Sequence, residues 1–159
     1  MNANEVIANR AIEILGGEKG DYSIINPNDD VNCGQSTNDV IPTAGKMTSL
    51  RLLKNLKKEL LRLHKALCAK AKEFDHVIKM GRTQMQDAVP IRLGQEFNAY
   101  SVAVMRDIHR MDRAMEEMCT LNMGGTAVGT GINADEAYLR RIVPNLVEVS
   151  DMEFVQAYD

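Results

Sequence analysis

The chain has 159 residues, with 22 acidic and 19 basic side chains and a formal net charge of −3. That balance supplies no electrostatic reason to bind nucleic acid or an anionic membrane. The apolar runs are far too short to cross a bilayer, and Met1-Asn2-Ala3-Asn4-Glu5 lacks the basic and apolar regions of a secretory signal.

Residues 3–15 read as a helix that Gly16-Gly17 stops. Residues 18–35 are loop, carrying the turn formers Gly20, Asn26-Pro27-Asn28-Asp29-Asp30 and Cys33-Gly34. A long helix is predicted over about 38–74. Leu53, Leu56, Leu60, Leu63 and Leu67 step by three and four along it, Phe74 prolongs the stripe, and lysines, arginine and glutamate take the other faces. At 1.5 Å per residue it spans roughly 50 Å. Residues 75–89 read as a linker. A second long helix is predicted over about 90–121, with Leu93, Phe97, Tyr100, Val104, Ile108, Met111, Met115 and Met118 in register and Pro90 in its first turn. The glycine-rich run Gly124–Gly131 breaks the pattern. A shorter helix follows over about 134–148, which Pro144 is expected to bend or interrupt.

Ten methionines, no tryptophan and few aromatics suit a Leu/Met helix-bundle core. Two long apolar seams on so short a chain need further helices to cover them, from more chain or from other subunits. Cys33, Cys68 and Cys119 are odd in number and widely spaced, which points to reduced thiols and a cytoplasmic setting. His64, His76 and His109 lack metal-ligand spacing, and neither a Gly-x-Ser-x-Gly elbow nor a Cys–His pairing signal is present.

Three polar clusters stand out. Gln35-Ser36-Thr37-Asn38-Asp39 precedes a helix and reads at the least as an N-cap, with Pro42 in the first turn. It also offers hydroxyls, an amide and the positive end of a helix dipole to a carboxylate. Lys79 to Pro90 leads toward the second long helix and presents Thr83, Gln84 and Gln86 with the charges of Lys79 and Arg82. Gly129-Thr130-Gly131-Ile132-Asn133-Ala134 matches a dinucleotide fingerprint, with Asp151 about twenty residues on. A Met-rich helix stands before it where a strand is required, so a tight turn between helices is the better reading.

Four blocks, in order and across the whole chain, resemble the fumarase/aspartase superfamily. They are Met1 to Ala11, Asn26 to Asp39, Gly81 to Ala88 with Leu93-Gly94-Gln95-Glu96, and Gly124 to Asn133. The resemblance implies an all-α fold of long antiparallel helices belonging to an incomplete central helical bundle. Residues 1–35 would end an N-terminal domain with its connecting loop, and residues 36–159 would begin the bundle. It implies a cytoplasmic homotetramer acting on a small dicarboxylate without metal or organic cofactor. Ser36, Thr37 and Asn38 would bind one substrate carboxylate, and Thr83 and Gln84 the other end or the developing enolate. Asn28 and Asp29 match a secondary dicarboxylate site, with Asn26 where the family usually has histidine.

Ser36-Thr37-Asn38 and Gln84 are similar to the ammonia-lyase branch, whereas Asp30 resembles the fumarase version of its block. Glutamine can only hydrogen-bond where a histidine could relay a proton. The implied reaction is deamination of L-aspartate by carbanion elimination. The alternatives are a class II fumarase hydrating fumarate, or a non-catalytic helical oligomerisation piece. The family's base serine would lie beyond residue 159, so the resemblance implies that these residues alone are inactive.

Overall fold

A computed structural model describes residues 2–158, and they form two compact units: residues 2–44 with 120–158, and residues 45–119. Helices dominate both, as the apolar periodicities require. In chain order the elements are α1 (Asn2–Ile14), α2 (Thr37–Glu73), β1 (Ile78–Thr83), β2 (Gln86–Arg92), α3 (Leu93–Met118), β3 (Thr120–Leu121), α4 (Glu136–Ser150) and β4 (Val155–Gln156).

In the second unit the body of α2 runs against α3. Lys57 meets Asp112, His64 meets Ser101 and Phe74 meets Phe97, so rising numbers on one helix face falling numbers on the other. The helices are therefore antiparallel. Leu50 and Ile108 are buried between elements of this unit, but Leu56 and Leu63 remain 49% and 47% exposed. One partner helix covers only part of the leucine seam.

The segment 75–89, expected to be a linker, instead contributes most of an antiparallel hairpin. Thr83 pairs with Gln86, and Gln84 and Met85 form a two-residue turn with φ of 47° and 61°. Both central residues are thus left-handed, the backbone that matches the twist of a hairpin. The register slips between Met80 and Arg82. A Cβ on Gly81 would sit 2.9 Å from the Val89 carbonyl, so the close approach there needs glycine. Pro90 lies opposite Met80 beside this irregularity, in β2 and not in the first turn of α3, where its missing N–H is tolerated. The hairpin leads directly into α3. The N–H groups of Leu93 and Gly94 donate to the carbonyls of Val77 and Phe74, and the Gln95 side chain accepts from Arg92 N–H.

In the first unit Ala8 and Ile12 of α1 are fully buried, and Leu121, Met123, Val143, Met152 and Phe154 form further core. β3 and β4 pair in parallel. Asp135 caps α4 by accepting from the N–H groups of Ala137 and Tyr138, and α4 continues through Pro144 without interruption. No helix among the described residues is long and apolar enough to cross a membrane.

Candidate functional site

The start of α2 is built as a reciprocal cap. Ser36 Oγ accepts from Asn38 N–H at 3.1 Å, and Asp39 Oδ2 accepts from Ser36 N–H at 2.8 Å. This is the capping-box arrangement with aspartate as the third residue. The Ser36 hydroxyl proton is then still free to donate outward, because the cap uses its oxygen only as an acceptor.

Asp39 does more than cap. Its other oxygen, Oδ1, accepts from Thr126 N–H at 3.0 Å, and the residue is fully buried. Asn38 Nδ2 donates to the Ala127 carbonyl at 2.7 Å, and Asn122 Nδ2 donates to the Asn38 carbonyl at 2.9 Å. The last bond has a cause in the sequence. Pro42 lies in the second turn of α2, not the first, and has no N–H to give to the carbonyl four residues earlier. That carbonyl is Asn38's, and Asn122 takes it. Three bonds thus fasten the helix start to residues 122–127, at the head of the glycine-rich run. Thr126 is held with φ of 60°, an uncommon backbone for a β-branched residue.

The hydroxyls of Thr43, Thr126 and Tyr138 are buried in this unit without a hydrogen-bond partner among the described residues. Burial raises the Tyr138 pKa above the ordinary 10.0, and the Asp39 charge raises it further. Gly124, Gly125, Gly129 and Gly131 help line a nearby cavity of about 300 Å³ with Leu139 and residues 156–158. Ser36, Thr37, Asn38, Thr83 and Gln84 do not line it, whereas the glycine-rich run that the sequence marks as a tight turn does.

Thr83 and Gln84 sit together in the other unit, at the exposed tip of the hairpin. Arg82 Nε donates to Asp87 Oδ1 across the strands at 3.1 Å, with both side chains largely exposed. Deeper along the hairpin, Lys79 grips both carboxylate oxygens of Glu96 on α3 at 2.8 and 3.0 Å.

Asn28 and Asp29 occupy an exposed turn of the first unit. Asn26 Oδ1 accepts from both their N–H groups, at 2.8 and 3.2 Å, and Asp30 Oδ2 accepts from Asn26 N–H at 2.7 Å. Asn26 therefore occupies two backbone donors with its own side-chain carbonyl.

Sequence reasoning placed Asp39 in a polar cluster but did not pick it out as the group joining two segments. The available signal was its position three residues after Ser36, which marks a capping box. The pairing of Cys68 with His64 was missed as well, although their spacing of four puts them on one helical face.

A family model described as lyase matches residues 1–159. The chain belongs to this lyase family, within the fumarase/aspartase superfamily. It is 54% identical to the aspartate ammonia-lyase of Bacillus subtilis (strain 168) over 157 residues, which cover 99% of this chain and 33% of that protein. It is 46% identical to the class II fumarate hydratase of Rhizobium meliloti (strain 1021), covering 99% of this chain and 34% of that one. Among solved structures, a fumarate lyase of Brucella melitensis in cobalt-bound form matches with a TM-score of 0.89 and 50% identity, over 100% of this chain and 35% of that chain. The chain spans about a third of the length of these relatives.

Proposed function

We propose that these residues form the carboxylate-gripping part of a carbon–nitrogen lyase that deaminates L-aspartate to fumarate and ammonia. The observation that carries this reading is the locked start of α2. The Ser36 cap leaves a hydroxyl donor at the positive end of a helix, and buried Asp39 fixes that end to the glycine-rich segment. A carboxylate placed there meets donors that need no reorganisation. Higher identity to an aspartate ammonia-lyase than to a fumarase, and Gln84 in place of histidine, support aspartate over malate.

On this reading a base removes the proton next to the β-carboxylate, negative charge spreads into that carboxylate, and ammonia leaves from the neighbouring carbon. Ser36, Thr37 and Asn38 hold one carboxylate. Thr83 and Gln84 serve the other end or the enolate, and proton abstraction belongs to groups outside these residues. Residues 1–35 close an N-terminal domain, and residues 36–159 open a central helical bundle. The half-exposed leucines of α2 suit a homotetramer, whose helices would cover them.

The reading is tested in a chain extended to the relatives' length. Ser36→Ala and Thr83→Ala should each lower aspartate turnover by about a hundredfold or more, while sedimentation still shows the tetramer. Wild-type turnover in both variants would overturn it, and turnover of malate in place of aspartate would assign the fumarase reaction.

A further inference from the structure

Charge is unevenly spread along α2. The whole chain carries a net −3, yet between Arg51 and Lys72 eight basic side chains stand against one acidic side chain, Glu59. Six of the eight share one face. Arg51, Lys54, Lys58, Arg62 and Lys65 step by three and four, and Lys72 falls two turns further along the same line. All six are exposed. At 1.5 Å per residue the row is roughly 30 Å long. Lys57, His64 and Phe74, which meet α3, sit roughly 130° round the helix from it, so the row points away from the packed side. Like charges at this spacing repel and disfavour the helix that carries them. Among the described residues only Arg62 of the six has an acidic partner, Glu59.

A face that needs only solvation can mix both signs, as the exposed side of α3 does with Arg106, Arg110 and Arg113 among Asp107, Glu116 and Glu117. The row on α2 carries one sign, which makes it a field for a polyanion. Its chemistry narrows the partner. Four of the six are lysines, compact point charges without the planar fork that reads the shape of a particular group. No Phe, Tyr or Trp lies between Arg51 and Lys72, so nothing there stacks a base. Asn55 and Ala69 share the row and no exposed leucine does, so it has no apolar edge to enter a lipid surface. A flexible linear chain of phosphates, which offers dense charge and little else, fits such a row.

We propose that the basic row of α2, from Arg51 to Lys72, is a docking surface for inorganic polyphosphate. Each lysine or arginine that meets the polymer releases a condensed counterion, so affinity falls steeply with salt. Binding follows the length and charge density of the polymer. It does not depend on the lyase reading, because the row lies outside the segments that hold Ser36 and Thr83.

The test is fluorescence anisotropy of end-labelled, long-chain polyphosphate titrated with the 159-residue chain. Affinity should fall about a hundredfold between roughly 50 and 200 mM salt, as for about five phosphates neutralised on a single strand. Orthophosphate at the same total phosphate should not compete. Lys54→Gln, Lys58→Gln and Lys65→Gln together should weaken binding about a hundredfold. Glutamine keeps the helix propensity of lysine, so circular dichroism should not change. Arg106→Gln, Arg110→Gln and Arg113→Gln remove the same charge from α3 and should weaken binding about threefold or less, since salt screens them from the row. Equal weakening by the two triple variants would overturn the proposal, because net charge alone would then explain the binding. So would a failure to bind polyphosphate at low salt, or tighter binding of duplex DNA or of phosphatidylserine vesicles at equal phosphate.

Discussion

Two polar clusters, each lying ahead of a long helix, end in opposite physical states. The cluster at residues 35–39 is bound into its unit by a buried carboxylate, two asparagine amides and a proline that frees a carbonyl for one of them. The cluster at residues 82–86 is a hairpin tip with two left-handed residues, a solvent-facing ion pair and a methionine that is 96% exposed. The first is preorganised within these residues. The second holds its shape through backbone pairing alone, so its side chains depend on whatever else comes to meet them.

The largest effect expected from this contrast is at Asp39. Asp39→Ala removes the acceptor for two backbone N–H groups, those of Ser36 and Thr126, in a fully buried setting. Hydrogen bonds to a charged group contribute about 1.5–3 kcal/mol each, and the two are coupled, so a loss of about 3 kcal/mol is expected. Urea midpoints measure it, and amide exchange should quicken at Ser36 and Thr126. Breaking the Arg82–Asp87 pair at the hairpin should change stability by only about 0–1 kcal/mol, since both side chains are largely in solvent. Equal losses in the two places would erase the distinction.

The same contrast explains what could be read from the sequence. The four helices were legible because apolar residues recur at three and four, and that period survives whatever packs on them. The start of α2 was legible because Ser36 and Asp39 make a local capping pattern. The hairpin was not. Its turn is Gln84-Met85 where Asn-Gly would be the usual signal, and the apolar Ile78, Met80 and Val89 lie on the exposed side while Lys79 and Gly81 are half-buried, so apolar residues do not mark a buried face. Pro90 pointed to a helix start because its fixed φ suits one, and only the slipped register beside Gly81 shows why a strand accepts it. The bonds from Asn38 and Asp39 to residues 122–127 span more than eighty positions, and no local pattern encodes such a pairing.

A smaller effect of opposite sign is expected at the hairpin tip. Met85 has φ of 61° and almost no contact with the rest of its unit. A left-handed conformation costs a non-glycine residue roughly 1–2 kcal/mol, while glycine adds roughly 0.5–1 kcal/mol of unfolded-chain entropy. Met85→Gly should therefore stabilise by about 0.5 kcal/mol, read as a small rise in melting temperature. A fall instead would mean that the methionine side chain braces the turn, and the tip would no longer count as the loosely held half.

An effect that grows under alkaline conditions tests the surroundings of Asp39. The Tyr138 hydroxyl is buried and unpartnered among the described residues, so Tyr138→Phe removes a polar group that gains no bond. Near pH 7 the loss of that desolvated, unpaired hydroxyl should stabilise the chain by about 1 kcal/mol. Burial first, and the Asp39 charge second, hold the folded Tyr138 pKa above 10.0, the ordinary value that the unfolded chain returns to. Below pH 10 both states keep the proton and the stability contribution is whole. Above it the unfolded state alone ionises, so stability drains away as pH rises toward and through the folded pKa. Phenylalanine has no proton to lose there. The gap between the urea midpoints of the two proteins should be constant near neutral pH and widen above pH 10, with the Tyr138→Phe chain the more stable throughout. Curves that stay parallel to high pH would place Tyr138 out of reach of both the buried core and the Asp39 carboxylate. Divergence that shrinks when Asp39→Ala is combined with Tyr138→Phe would tie the phenol to the same carboxylate that fastens the start of α2.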